Sequence, residues 1–358
     1  MASVGNVLIC RAHELVSARL EFHERSQDSS YLWQWVGHSV VILTVLAFGL
    51  AFLWVDYTCN HVIATLAVVE DSNPDTYVRL DCQTSNDSCG PNGGEVTGAS
   101  TTKPITRGLR SAIKHLRARG GIWSYFRGFR MYLAFTGCDM GLSFLLPTFV
   151  PVTAHSLISL FLGRFVASML LATWHMAWVH LVIADQSPKS SYRRMLGLRY
   201  WPKIAPAAAL YNALMCATSS LPIAAAELSK WTVTNVSRPR HEELLAFLVK
   251  GILPAILFLV LSIPARAIFT RVAASMLPEE DDPIVPFDRL FGGKVKPATV
   301  GGDSGHLSLQ DAWTSFDRAA RIRYVKVTLK VLAIEVALGV VGTLLVIGEV
   351  TLTYKLFN

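Results

Sequence analysis

The chain has 358 residues, of which 52% are hydrophobic and only 16% charged, with a mean hydropathy of +0.38. A soluble globular domain carries about a quarter charged residues, so this composition excludes an ordinary soluble fold. The net charge of +7 would suit a polyanion, but the bases gather in alternate inter-helix loops, which excludes nucleic acid and points to a lipid bilayer as the partner.

Residues 1–34 form a polar segment in which Glu14, Glu21 and Glu24 mix with Arg11, Arg19 and Arg25, unlike an acid-poor transit peptide. Six apolar runs follow, at 35–55, 129–150, 155–184, 205–228, 244–269 and 327–347, each at or above the ~20 residues that cross a bilayer core. The fourth is the weakest, because Pro206 and Pro222 each remove a helical hydrogen bond. The runs pair off around long loops. The expected fold is therefore an all-α integral membrane protein of six transmembrane helices arranged as three helical hairpin repeats, at 35–150, 155–230 and 241–358.

Each long loop carries the bases: Lys103, Arg107, Arg110 and Lys114 in the first, Lys189, Arg193 and Arg194 in the second, Arg318, Arg321 and Arg323 in the third. The link at 151–154 has no charge. This asymmetry places the three long loops on the cytosol-like or matrix-like side and both termini on the other. Within each loop a short amphipathic stretch precedes the even span, at 108–119, 190–199 and 307–323; in the last, Leu309, Trp313, Phe316 and Ala320 fall at helical spacing behind Ser308 as N-cap.

Two loop segments read as insertions. Residues 71–102 are polar and aperiodic, expected to be disordered or a surface loop, and 279–305 opens with four acids that read as a solvated face. Cys82 and Cys89 are spaced for a disulfide, and Asn86 and Asn235 begin glycosylation sequons. The two sequons fall on opposite sides of the expected topology, and they and the cysteine pair alike are read as chance.

The stretch GGIWSYFRGF, 120–129, places Gly121 seven residues before Gly128, behind Phe126 and Arg127. Glycines permit a sharp turn from surface helix to span, and Arg127 with Trp123, Tyr125 and Phe126 reads as an interface anchor. The segment resembles the mitochondrial carrier family, in which it follows a matrix-side surface helix and opens an even-numbered span. The acid expected before the first glycine is Gly120 here. In PARAIFTR, 264–271, Pro264 and Arg271 match the motif that ends the family's odd spans, while Arg266 stands in the acidic position. The corresponding prolines of spans 1 and 3 are Trp54 and Trp174, and Asp56 holds the acidic place in the first. The pattern is most similar to divergent fungal members. The resemblance implies a carrier-like six-helix fold and the mitochondrial inner membrane, although charge asymmetry alone allows other membranes.

A charge at mid-bilayer costs roughly 2.5–3.5 kcal/mol, so charges in spans face a polar cavity or a partner. Tyr132, Thr136, Asp139 and Ser143 form one stripe, and Arg164, Ser168 and His175 a second. Asn212, Cys216 and Ser219 form a third, Thr328, Glu335, Gly339 and Gly342 a fourth. Stripes on several spans suit a central water-accessible cavity, with Asp139, Arg164, Glu335, His175 and Thr136 as candidate substrate-binding residues. Asp139 with Arg164, or Glu335 with Lys250, would equally serve as inter-helix ion pairs, and Gly339 with Gly342 as a packing seam. His175 and His180 are five apart and project to different faces, so no metal pair is expected. No G-x-S-x-G, H-E-x-x-H or P-loop occurs, and neither a catalytic residue nor a cofactor is expected. The expected function is binding or translocation of a small solute, carboxylate-bearing or amphoteric. A non-transporting scaffold of a membrane complex is the rival, with a membrane enzyme third.

Overall fold

In lipid, a backbone without water must satisfy its own hydrogen bonds, which leaves apolar runs of this length the helix as their form. The computed structural model describes residues 35–71, 104–149, 156–185, 200–232, 252–295 and 305–357, and every regular element among them is helical. Helix α1 is Trp35–Val69, with a π-helical segment at Asp56–Ile63. Helix α2 is Leu109–Gly120, α3 is Phe129–Phe149, α4 is Ser156–Leu170 and α5 is Ala172–Ile183. Then come α6 at Trp201–Thr232, α7 at Leu253–Ser275, α8 at Leu309–Thr314 and α9 at Arg318–Phe357.

Four helical stretches are long and apolar enough to cross a membrane: Trp35–Val69, Trp201–Leu221, Leu253–Ser275 and Arg318–Lys355. A fifth exists if Ser159–Leu170 and Ala172–Ile183, bent by 54° at Leu171, act as one broken span. Helix α3 has the length, 21 residues, but Arg130 and Asp139 dilute its apolarity. The multi-pass membrane architecture is thus present, at four or five candidate spans among the described residues. Helix α6 runs through Pro206 and Pro222, the prolines that weakened that span in the sequence. Helix α9, at 40 residues, would reach about 60 Å, twice a bilayer core.

The chain divides into two compact units, Met1–Asp56 with Lys330–Asn358, and Tyr57–Leu329. In the first, α1 and the later part of α9 pair antiparallel. A Cβ on Gly37 would meet Thr353 Cγ2 at 2.9 Å, and one on Gly342 would meet Phe48 Cδ1 at 3.0 Å, so both glycines mark close helix approach. Between them Thr44 Oγ1 donates to Glu349 Oε1 at 2.7 Å. The outer faces are apolar, Leu43 and Leu50 on α1 and Leu344 and Leu352 on α9 all being exposed, a surface that lipid covers at no desolvation cost.

In the second unit a dry core joins the end of α1, the end of α7, α8 and the start of α9. Ala64, Ala67, Ala267 and Ala320 let these backbones close around Val68, Phe316 and Tyr324. Arg271, 7% exposed, ties the same place together. Its guanidinium donates to the carbonyls of Ala312 at 3.0 Å, Val68 at 3.1 Å and Ser315 at 3.2 Å, between the rings of Phe291 and Phe316. A planar five-donor fork suits three converging carbonyls; an ammonium would not.

Two expectations need correction here. The acids at 279–282 are solvated at Glu279, Glu280 and Asp282, but the segment is no loose insertion: Asp281 is 4% exposed, and Ile284, Val285 and Phe287 are buried. Its backbone is stitched to the end of α5, Ile284 N–H donating to Ile183 at 2.9 Å and Asp185 N–H to Asp282 at 2.6 Å, and apolar residues among the acids drive that docking. Arg127 and Tyr125 are not interface anchors either. Arg127 donates to the Ala184 carbonyl and lies 3.6 Å from Asp185, while Tyr125 is buried, leaving Ile122 and Trp123 as the exposed apolar pair. The glycine reading holds: Gly121 and Gly128 both adopt positive φ, +65° and +70°. Helix α2 and the N-capped α8 occupy two of the three expected surface-helix positions, and Ser308 Oγ accepts from Asp311 N–H at 3.1 Å. Residues 190–199, Lys250, Cys82, Cys89, Asn86, Asn235 and the 72–102 loop lie outside the described residues.

Candidate functional site

The polar stripes meet inside the second unit. From α3 come Tyr132, Thr136 and Asp139, spaced four and three apart so that they share a helix face. Helix α4 supplies Arg164 and Ser168, and α5, beyond the bend, His175 and Trp178. Asn212 and Cys216 of α6, Arg266 of α7 and His61 from the π-helical segment of α1 complete the wall, with Phe135, Tyr211 and Met215 as its apolar part. The space is partly open, with Thr136 and Arg164 exposed, and its volume is about 150 Å³. That equals roughly five water molecules' share of liquid volume, well below a drug-sized site.

The charged groups inside are held differently. Asp139 Oδ1 accepts from Ser168 Oγ at 2.7 Å. Arg266 donates to Asn60 Oδ1 at 3.0 Å and lies 3.3 Å from His61 Nδ1. A guanidinium nitrogen can only donate, so His61 Nδ1 accepts, the ring is neutral and its proton sits on Nε2. That nitrogen is 3.2 Å from the Tyr132 hydroxyl. Arg164 has no hydrogen bond and no carboxylate within ion-pair distance among the described residues. Aromatic rings pack around the polar groups: the His175 ring lies 4.3 Å from Phe269 and 4.9 Å from Phe135 between centroids. Trp178 Nε1 donates to the Tyr57 hydroxyl at 3.4 Å, and that hydroxyl donates to the Arg127 carbonyl, linking the cavity wall to the GGIWSYFRG turn.

Of the candidate residues, Asp139, Arg164, His175 and Thr136 line this one space. Glu335 belongs to the other unit, on α9 past Lys330, where Gly342 packs against Phe48. Asp139 and Arg164 form no ion pair among the described residues, and the carboxylate accepts from Ser168 instead. His180 is a core residue whose Nε2 donates to the Ala273 carbonyl at 2.7 Å. His61, Trp178, Tyr211 and Arg266 were not foreseen.

A larger hollow of about 340 Å³ lies near Glu70 and Arg271. Its charged groups are committed to structure. Glu70 accepts from the Ile105 and Thr106 backbone and from Thr106 Oγ1, with Arg323 3.9 Å away, and Asp288 accepts from the Leu290 and Gly292 N–H groups. The smaller space, with an uncommitted guanidinium, is the better candidate. Among the described residues no group of three His, Cys, Asp or Glu is placed to hold a metal ion. No protein-family model, curated protein or solved structure matches the chain.

Proposed function

We propose that this chain is a transporter-like membrane protein that binds or translocates a small solute through the cavity, within a carrier-like frame of six crossings built as three hairpins. One observation carries the reading: polar residues spaced along otherwise apolar helices converge on a single, partly open space. Ionised groups inside a span cost too much to be retained idly, and side chains held apart from one another are available to a solute. Both charge signs line the space, which suits a carboxylate-bearing or amphoteric molecule, and the volume keeps it small. The carrier resemblance of residues 120–129 gives the mitochondrial inner membrane as its compartment.

The test is uptake into liposomes containing the purified chain. Arg164→Gln is expected to lower uptake about tenfold or more without loss of insertion, since it removes a charge-assisted contact to the solute, and Asp139→Asn to alter uptake through the Ser168 bond it supplies. Glu335→Gln, altering a residue of the other unit, separates the cavity from the α1–α9 pair. Normal uptake by inserted Asp139→Asn and Arg164→Gln chains would end the transport reading. One observation favours a non-transporting scaffold instead: Arg266 stands where carriers place the acid of their gate, and it binds Asn60 and His61. A scaffold would give no uptake in the unaltered chain, while a co-purifying partner would persist in all three variants.

A further inference from the structure

The notion of an amphoteric solute treats the two charge signs in the cavity as equals, and the hydrogen bonds do not. Two guanidiniums, Arg164 and Arg266, face one carboxylate, Asp139, and both histidines of the wall are aromatic-packed, His61 being held neutral by Arg266. With neutral histidines the space carries a net charge of one positive unit. The carboxylate is already an acceptor for Ser168, whereas Arg164, an exposed residue of the lining, donates to no described residue. A guanidinium offers two parallel N–H groups matched to the two oxygens of a carboxylate. Around it the wall adds donors: Asn212, and the Tyr211 and Thr136 hydroxyls.

We propose that the cavity is a site for a compact monocarboxylate anion of about two to four carbons, with Arg164 as its docking group and Arg266 as the second positive charge that sets selectivity against cations. Arg266 acts from α7 through its bonds to Asn60 and His61, so it fixes the sign of the field and the position of the π-helical segment together. Asp139 is no ligand for an ammonium; it orients Ser168 and limits the site to a single negative charge. The proposal rests on the solute-binding reading above and narrows it to one class.

The experiment is thermal unfolding of the purified full chain in detergent at constant ionic strength, titrated separately with sodium acetate, glycine and tetramethylammonium chloride. Acetate is expected to raise the unfolding midpoint in a saturable way, with glycine weaker and the cation without effect. Arg164→Gln, whose side chain anchors no other residue described, is expected to weaken acetate binding at least about tenfold. Asp139→Asn is expected to retain or strengthen it. Arg266→Gln should also lose selectivity, and if that variant fails to fold, Arg164→Gln alone still decides. A midpoint raised by glycine or tetramethylammonium but not by acetate overturns the anion assignment and leaves solute binding standing. Acetate binding unchanged in Arg164→Gln overturns Arg164 as the docking group. No shift with any of the three probes counts against both.

Discussion

At Gly128 the backbone takes φ +70°, and a Cβ there would meet Trp178 Cδ1 at 3.2 Å. At Gly121 φ is +65° with ψ −154°, a region that is almost exclusive to glycine, and no atom crowds the missing Cβ. The two positions therefore separate backbone strain from steric fit. Gly121→Ala is expected to lower stability by about 1–3 kcal/mol through strain alone. Gly128→Ala adds displacement of Trp178, and with it the Tyr57 bond and the cavity wall. Gly137→Ala is the control: that helical glycine has open space around it, so alanine should be neutral or gain up to about 1 kcal/mol. Denaturation midpoints of the three variants in one detergent would rank them, and equal losses at 121 and 137 would refute the strain account.

Short elements depend on their ends more than on their packing. Helix α8 has six residues, too few to stand alone, and Ser308 Oγ closes its first turn by accepting from Asp311 N–H while donating to Asp311 Oδ2 at 2.7 Å. The Ser308 bond first, and Lys294 at 3.1 Å second, hold the exposed Asp311 carboxyl below the ordinary aspartate range. A carboxyl depressed in the folded state stabilises the fold above its unfolded value of about 3.9, and the contribution is lost as pH falls through the lower folded value. Acid should therefore loosen α8. Trp313 fluorescence, isolated by difference from Trp313→Phe, is expected to report a transition below about pH 4 that Asp311→Asn abolishes. Ser308→Ala should cost about 1 kcal/mol at neutral pH. This cap was legible in the sequence because capping is local chemistry, as was the glycine turn. The stripes of α3, α4 and α6 were legible for a related reason, a straight helix preserving its 3.6-residue period. His61 was not: its π-helical segment shifts the register that periodicity relies on. Arg266 escaped because motif comparison marked it as a substitution at a gate, while only the fold turns it towards α1. Glu335 lies on a stripe of α9 that is just as regular, and which neighbour a regular stripe meets is a tertiary fact.

The whole molecule poses a question of parity. Within the α1–α9 unit, residue numbers rise along one helix as they fall along the other, since Gly37 lies by Thr353, Thr44 by Glu349 and Phe48 by Gly342. The start of α1 and the end of α9 thus share one end of that pair, and a chain whose first and last spans are antiparallel crosses an even number of times. Where both helices cross, that pairing allows four or six crossings. Four requires both α3 and the bent α4–α5 pair to stop short of the far side; six requires both to cross. A broken span carrying Arg164 and a helix carrying Asp139 are poor lone membrane helices; side by side they bring Ser168 to Asp139, while Arg164 stays exposed. Six crossings then require the two to enter the bilayer as a couple. Thr153→Cys, placed in the link between α3 and α4 of a chain otherwise free of cysteine, is expected to react with an impermeant maleimide from the side that exposes both termini. Reaction from the side of the basic loops would instead mean four crossings and two re-entrant helices, with the cavity opening towards those loops alone.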